Sequence, residues 1–478
     1  MRKKILYAGL LFAAVSFFNL SCQKETREPI VQEEKNQDET LAARNGQHGH
    51  SKLTKTFSAD LVVKWLNMQL DMLRVPLAAG TGSQAADRAQ AYCGIALYES
   101  VLPGMPDYQS LSGQLTDFPD MPATERWKAY HWAASANAAL AEINRKLFPT
   151  TSDVNKTNIN TLENSLQAIY ANEVDAGTLQ RSIAFGKEVA TRVFSWAAND
   201  GFANVNPPYV PPVGPGLWVP TAATPPAGAY FYQRRKLVPG VANRTELDPP
   251  PAFSTTPGSP FYNMVKQVYD ASLTLTADQK AMADYFKDVP GYAPGGTYVA
   301  LMSQALDNTK PSLDKAALTY VKVGLAQHDA GIILFTHKYQ FNTIRPVTYI
   351  RAYIDPNWST YIPTPNHPEF PSGHSTTGGA VLTMMSKIFG ENFHITLHTY
   401  DYLNYPSRSY TSFTQLLNEI SDSRLYGGLH YRATLKKSEA QGEKVAKNIL
   451  RKIKFLKEDR HDNHNNHGYD DHNHHDHH

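Results

Sequence analysis

Three short segments near the C-terminal end carry the residue types that handle oxyanions. They are Lys338-Tyr339-Gln340-Phe341-Asn342-Thr343-Ile344-Arg345-Pro346, then Pro371-Ser372-Gly373-His374, then Ser423-Arg424-Leu425-Tyr426-Gly427-Gly428-Leu429-His430. Together they offer three cations, a serine, a glycine amide and two histidines. A phosphate-sized oxyanion needs fixed positive charge around it and a group that moves a proton or attacks its centre. The segments fall within fewer than a hundred residues, so they can close on one pocket in one domain.

Each segment has its own local logic. Lys338 and Arg345 are seven residues apart, about two turns at 3.6 residues per turn, so one helix would put both on one face. Pro346 disfavours further helix, which puts Arg345 near a helix end. Arg offers a planar fork for two oxygens; Lys is a movable point charge. Pro371-Ser372-Gly373-His374 precedes the apolar run Ala380-Val381-Leu382-Thr383-Met384-Met385 and reads as a helix start. Ser372 is a natural N-cap, the free amides there favour an anion, and Gly373 allows close approach. Gly427-Gly428 breaks the chain between Arg424 and His430, so the two can converge without sharing a helical face.

Taken singly, these pieces have plain structural readings. A Lys/Arg pair is commonly a solvated face, Pro-Ser-Gly-His a helix start, and a lone histidine a packed side chain. Their joint order and spacing carry the functional reading. The pattern Lys, six residues, Arg-Pro; Pro-Ser-Gly-His; Ser-Arg, five residues, His resembles the superfamily of type 2 phosphatidic-acid phosphatases and vanadium-dependent haloperoxidases. The likeness extends upstream through Asp284-Tyr285-Phe286-Lys287-Asp288-Val289-Pro290-Gly291, Leu217-Trp218-Val219-Pro220-Thr221 and Ala91-Tyr92-Cys93-Gly94-Ile95-Ala96-Leu97-Tyr98-Glu99-Ser100. Those stretches resemble the soluble haloperoxidase branch, and the resemblance covers roughly residues 57 to 450.

The resemblance implies residue roles. His430 would be the axial ligand of vanadate, or the nucleophile on phosphorus in a phosphatase. Lys338, Arg345 and Arg424 would neutralise the equatorial oxygens, helped by Ser372 and the Gly373 amide. His374 would be the acid–base group. Vanadate is the implied cofactor, with phosphate fitting the same site; hydrogen peroxide and halide are the implied substrates. Many members place Asp four residues after the ligand histidine, where this chain has Thr434. The resemblance therefore leaves Thr434 or a backbone carbonyl to orient the imidazole. His367, seven residues before His374, resembles bromide-oxidising members, and Phe335 stands where several members have Trp. Iodide or bromide is favoured over chloride; His367 as a simple loop histidine beside Pro368 is the plain alternative.

Three functions are thus in play: a vanadium-dependent haloperoxidase, an exported acid phosphatase working through a phosphohistidine at His430, and a non-catalytic lipoprotein binding an oxyanion or a metal. Length, the upstream segments and His367 favour the first. The complete motif set disfavours the third.

Arg2-Lys3-Lys4, an apolar run from Ile5 to Leu20, and Ser21-Cys22 read as a signal peptide (residues 1–22) too short for a membrane span. Cys22 looks like a bacterial lipoprotein acylation site, although Asn19 departs from the usual aliphatic residue. This places the protein at the outer membrane, facing the periplasm or the exterior. No other stretch is apolar enough to cross a bilayer, which argues against the multi-span lipid phosphatases. Cys22 and Cys93 are the two cysteines, so no disulfide frame is expected. A net charge of +2 implies no general affinity for nucleic acid.

Residues 23–56 are polar and read as a flexible tether. From 57 to 457 the chain reads as one all-α catalytic domain. Apolar residues recur at three-and-four spacing near 59–76, 84–102, 125–147, 177–198, 262–287, 315–339, 374–389, 411–425 and 436–457. The resemblance makes two packed four-helix bundles the implied core. A Pro-rich stretch from Pro207 to Pro260 forbids regular helix; its aromatics predict an ordered excursion that roofs the pocket. Residues 458–478 form a tail rich in histidine, holding eight of the eighteen in the chain. It reads equally as a disordered tail or as a weak ligand for zinc, copper or nickel.

Overall fold

The computed structural model describes residues 52–74, 82–287 and 296–457, all within the unit His50–His478. The signal peptide, Cys22, most of the expected tether and the His-rich tail lie outside the described residues. The packed body begins slightly before residue 57: Thr54 is buried and its Oγ1 donates to the Val101 carbonyl at 2.8 Å.

The expected all-α class is what the chain adopts. The helices are α1 (Asp60–Arg74), α2 (Gly82–Val101), α3 (Trp132–Leu147), α4 (Asp153–Tyr170), α5 (Ala176–Ala197), α6 (Pro260–Leu273), α7 (Ala277–Tyr285), α8 (Gly296–Thr309), α9 (Leu313–Phe341), α10 (Pro346–Tyr353), α11 (Gly373–Phe389), α12 (Phe413–Tyr426) and α13 (Arg432–Lys452). A two-stranded antiparallel pair, β1 (Ile395–Leu397) and β2 (Arg408–Tyr410), interrupts the series. One group packs α2, α3, α4 and α5 together with α1. A second packs α9, α11, α12 and α13 together with α7. The 29-residue α9 belongs to both, since it lies against α2 on one side and α11 on the other. Its near-continuous burial from Leu313 to Leu334 follows from that position.

Several expected boundaries shift, each for a local reason. The single helix expected over 262–287 is two. Thr276 forms a capping box with Gln279, which starts α7 afresh after Thr274. The helix expected from 125 starts at Trp132, where the His131 side chain accepts from the Ala134 amide. Helices α4, α8 and α10 were not expected. Helix α4 buries only a thin stripe, Asn155, Ile159, Glu163, Leu166 and Tyr170, so its apolar signal is weak.

The Pro-rich stretch is irregular and ordered, with one short 3-10 helix at Phe231–Gln233. Trp218, Phe231, Leu237, Val238 and Val241 are buried. Buried Asp329 on α9 accepts from the Leu237 and Val238 amides at 2.8 and 2.9 Å. Farther along α9, Phe335 packs on Phe231 with ring centroids 4.8 Å apart. The excursion is thus tied to the helix that ends at the first motif. Cys93 is buried and free.

Two glycine contacts set the spacing of the helices that carry the site. A Cβ on Gly442 of α13 would lie 2.0 Å from the Thr376 carbonyl oxygen of α11; one on Gly379 would lie 2.4 Å from the Glu439 oxygen. The two backbones therefore touch. Gly442→Ala is expected to destabilise the fold by about 1–3 kcal/mol, the usual cost of overpacking. It should appear as a lower urea midpoint at unchanged slope; an unchanged midpoint would show that the helices separate freely.

Candidate active site

The first motif does not lie on one helix. Helix α9 ends at Phe341, and Asn342 adopts a left-handed conformation (φ 46°) that closes it. Thr343 and Ile344 then run extended, pairing with the Pro-rich stretch: Ile344 N donates to the Gly216 oxygen at 2.9 Å, and Leu217 bridges Thr343. Arg345 is the N-cap of α10, with Pro346 in its first turn. Pro346 thus starts a helix instead of ending one. Lys338 and Arg345 still converge, because the turn at Asn342 folds the chain back.

Lys338 is fully buried, and its Nζ donates to the carbonyls of Pro368 (3.0 Å), Glu369 (3.1 Å) and Pro371. It is therefore a held charge, not the movable one expected. Burial, and then the Arg345 charge, push its pKa well below the ordinary lysine value. A neutral amine has only two hydrogens, so pairing with three carbonyls requires the ammonium. Arg345, also fully buried, donates from Nε to the His367 carbonyl (2.9 Å) and from Nη1 to the Leu429 carbonyl (3.0 Å). Its Nη2 lies 3.0 Å from His367 Nδ1.

The second motif is the start of α11. The Ser372 hydroxyl oxygen caps it, accepting from Ser375 N at 3.4 Å, and Ser372 N donates to Ser438 Oγ at 2.9 Å. A Cβ on Gly373 would meet only Leu334, at 3.9 Å, so the space above it is open to the cavity. In the third motif, Arg424 closes the last turn of α12, Gly428 takes φ 77°, and His430 returns toward the start of α11.

These turns enclose a cavity of about 260 Å³ lined by Lys338, Gly373, His374, Arg424 and His430. Phe335 and His367 line it as well, their rings 5.4 Å apart. Arg345 lies behind this lining, with Nη1 3.4 Å from His430 Nε2. Ser372 and Thr434 are buried beside it. The Pro-rich stretch contributes Ala227 to the wall.

Burial first, and then nearby cations, hold three histidines well below the usual imidazole value. The cations are Arg345 and Lys338 for His430, Arg424 for His374, and Lys338 and Arg345 for His367. The pocket therefore combines fixed positive charge with neutral imidazoles. Among the described residues no cluster of three or more His, Cys, Asp or Glu side chains is placed to hold a metal cation. The donor set suits an oxyanion.

Glu369 was not anticipated. It is fully buried, and its Oε1 lies 2.9 Å from His430 Nδ1 and accepts from Tyr431 N at 3.2 Å. Its Oε2 accepts from Thr434 Oγ1 at 3.1 Å. The expectation that Thr434 or a backbone carbonyl orients the imidazole is thus corrected: Thr434 reaches His430 only through Glu369. Burial raises the Glu369 carboxyl above its ordinary range, with Arg345 and Lys338 pulling it back. Tyr431 N and Thr434 Oγ1 give each of its two oxygens one donor. The sequence signal was an acidic residue inside the apolar, Pro-flanked run Pro368-Glu369-Phe370-Pro371.

Residues 318–458 match the family model of the VCPO second helical-bundle domain. No curated protein matches the chain by sequence. The chain is similar to the crystal structure of a bacterial vanadium-dependent iodoperoxidase, at TM-score 0.75 and 27% identity, over 84% of this chain and 98% of that one. It shares its fold with a bacterial vanadium-dependent chloroperoxidase. The apo form gives TM-score 0.59 and 17% identity over 79% of this chain and 94% of that one. The holo form gives 0.61 and 16% over 80% and 94%. Residues 318–458 thus match the second helical-bundle domain of that family model, and the chain as a whole has the fold of the vanadium haloperoxidase structures it resembles.

Proposed function

We propose that this protein is a vanadium-dependent haloperoxidase that oxidises iodide or bromide with hydrogen peroxide to the hypohalous acid. The observation that carries the reading is the cavity lined by buried Lys338 and Arg424, with Arg345 behind its wall, around a neutral His430. Vanadate fits that donor set, and when bound it would supply a pentavalent Lewis acid that polarises peroxide. Lys338, Arg345 and Arg424 would hold its oxygens, with the Gly373 amide and Ser372 beside them, and His430 Nε2 would be its ligand. His374, neutral at its ring, would accept a proton from incoming hydrogen peroxide and return it to a leaving oxygen. Similarity to an iodoperoxidase, and a half-buried His367 held by Arg345 at the cavity wall, support iodide or bromide as the halide.

The same cations and imidazoles also suit phosphate-ester hydrolysis, because vanadate mimics the phosphoryl transition state. Phosphatase activity is therefore the second reading. We further place the working enzyme at the outer membrane, held by acylated Cys22, on the strength of the N-terminal residue types.

The decisive measurement adds vanadate to metal-free protein and follows peroxide-dependent oxidation of iodide and bromide. Ester hydrolysis is assayed on the same preparation without vanadate. Halide oxidation that needs vanadate is expected; hydrolysis that vanadate abolishes, with no halide oxidation, would replace this reading with the phosphatase. His430→Ala should lose vanadate and reduce halide oxidation to background. His374→Ala should keep vanadate and lose about 10²–10⁴-fold in turnover. Full activity in both variants would sink the assignment.

The depressed imidazoles also predict a pH effect. Their folded pKa values lie below the unfolded value of 6.5, so unfolding takes up protons in the window beneath about pH 6.5. The stability they contribute is present above that window and is lost as pH falls through it. Thermal melts of vanadate-free protein between about pH 7.5 and 5 should show this decline, and His374→Asn should flatten it. An identical slope in the variant would show that His374 is not held neutral.

A further inference from the structure

Glu369 stands two residues before the second motif and bonds to residues of the first and third. Its carbonyl accepts from Lys338 Nζ, its amide donates to the Thr343 carbonyl at 3.0 Å, and its carboxylate meets His430 and the Tyr431 amide. We propose that Glu369 is the positioning residue of His430. Its carboxylate holds the proton on Nδ1 and fixes the ring plane, which leaves the Nε2 lone pair for the ligand in the cavity.

A neutral imidazole has one donor and one acceptor nitrogen, and the partner of one fixes the role of the other. Arg345 Nη1, 3.4 Å from Nε2, has only hydrogens to offer, so Nε2 is the acceptor. Nδ1 then carries the proton and donates to Oε1 at 2.9 Å. Tyr431 N, at the N-cap of α13, and Thr434 Oγ1, in its first turn, anchor the carboxylate, so it cannot swing away without breaking two further bonds. The geometry also defines an interchange. Thr434 Oγ1 is 3.1 Å from Oε2, so a carboxylate at position 434 would occupy nearly the same space if Glu369 were shortened.

The tautomer arm stands on geometry alone; the affinity arm rests on the vanadate reading above. In full-length apo protein labelled with ¹⁵N-histidine, the bond predicts a far-downfield imidazole N–H proton. It should vanish in both Glu369→Ala and His430→Ala. Persistence in Glu369→Ala would overturn the inference whatever the enzyme does.

Orthovanadate and inorganic phosphate affinities of the same proteins supply the second arm. Glu369→Ala should weaken vanadate by about 10–100-fold, the usual loss when a ligand histidine is deprived of its carboxylate. Phosphate, held by the cations, should bind no more weakly, because a negative charge has left the site. Glu369→Ala/Thr434→Asp should restore most of the vanadate affinity and the N–H signal. Glu369→Gln, which keeps the shape and loses the charge, should fall between. Parallel loss of both anions, or a folded double variant with no recovery, would make Glu369 merely structural. If wild-type protein held phosphate and showed no preference for vanadate, the vanadate reading would fail. The N–H signal would then decide the positioning role.

Discussion

Positive charge without water is the condition on which this structure turns. Lys338, Arg345 and Arg424 are almost completely removed from solvent. Burying an unpaired charge costs several kcal/mol or more, so the surrounding chain must supply partners. It does so largely with backbone oxygens, from Pro368, Glu369 and Pro371 for Lys338, and from His367 and Leu429 for Arg345. Those carbonyls are available because the 367–371 and 427–430 stretches are neither helix nor strand. The irregular loops are thus the solvation shell of the cations, and the helices are what hold the loops.

This explains the division of labour in the fold. Helix α9 delivers Lys338 from the seam between the two helix groups, α11 presents its N-terminus, and α12 delivers Arg424. The backbone contact of Gly379 and Gly442 sets the distance between α11 and α13, and so between the amides at Gly373 and the turn that carries His430. The Pro-rich excursion pairs with Thr343 and Ile344, stabilising the extended link that lets Arg345 turn back toward Lys338.

Much of the site was legible because its signals are local. A Ser-Gly pair before an apolar run marks a helix start, and a double glycine marks a break; both hold at Ser372-Gly373 and Gly427-Gly428. The all-α class was legible from periodicity, and the ordered character of the Pro-rich stretch from its aromatics. What escaped depends on contacts distant in sequence. Seven-residue spacing suggested a shared face for Lys338 and Arg345, yet Asn342 takes a left-handed turn held by the Tyr209 hydroxyl and the Trp218 amide, more than a hundred residues away. Glu369 pairs with a histidine 61 positions downstream, and no local pattern marks such a pair. Helix α4 was missed because a surface helix with a narrow buried stripe is nearly silent in hydropathy.

The three carbonyls around Lys338 have a mechanical meaning. An ammonium has three N–H bonds, and here each has an oxygen waiting in the 368–371 loop. An anion that draws on this charge at hydrogen-bond distance must share or displace one of those oxygens. Occupancy of the cavity and tension in the loop are therefore two readings of one quantity: what the anion gains from Lys338, the loop that carries Glu369 gives up.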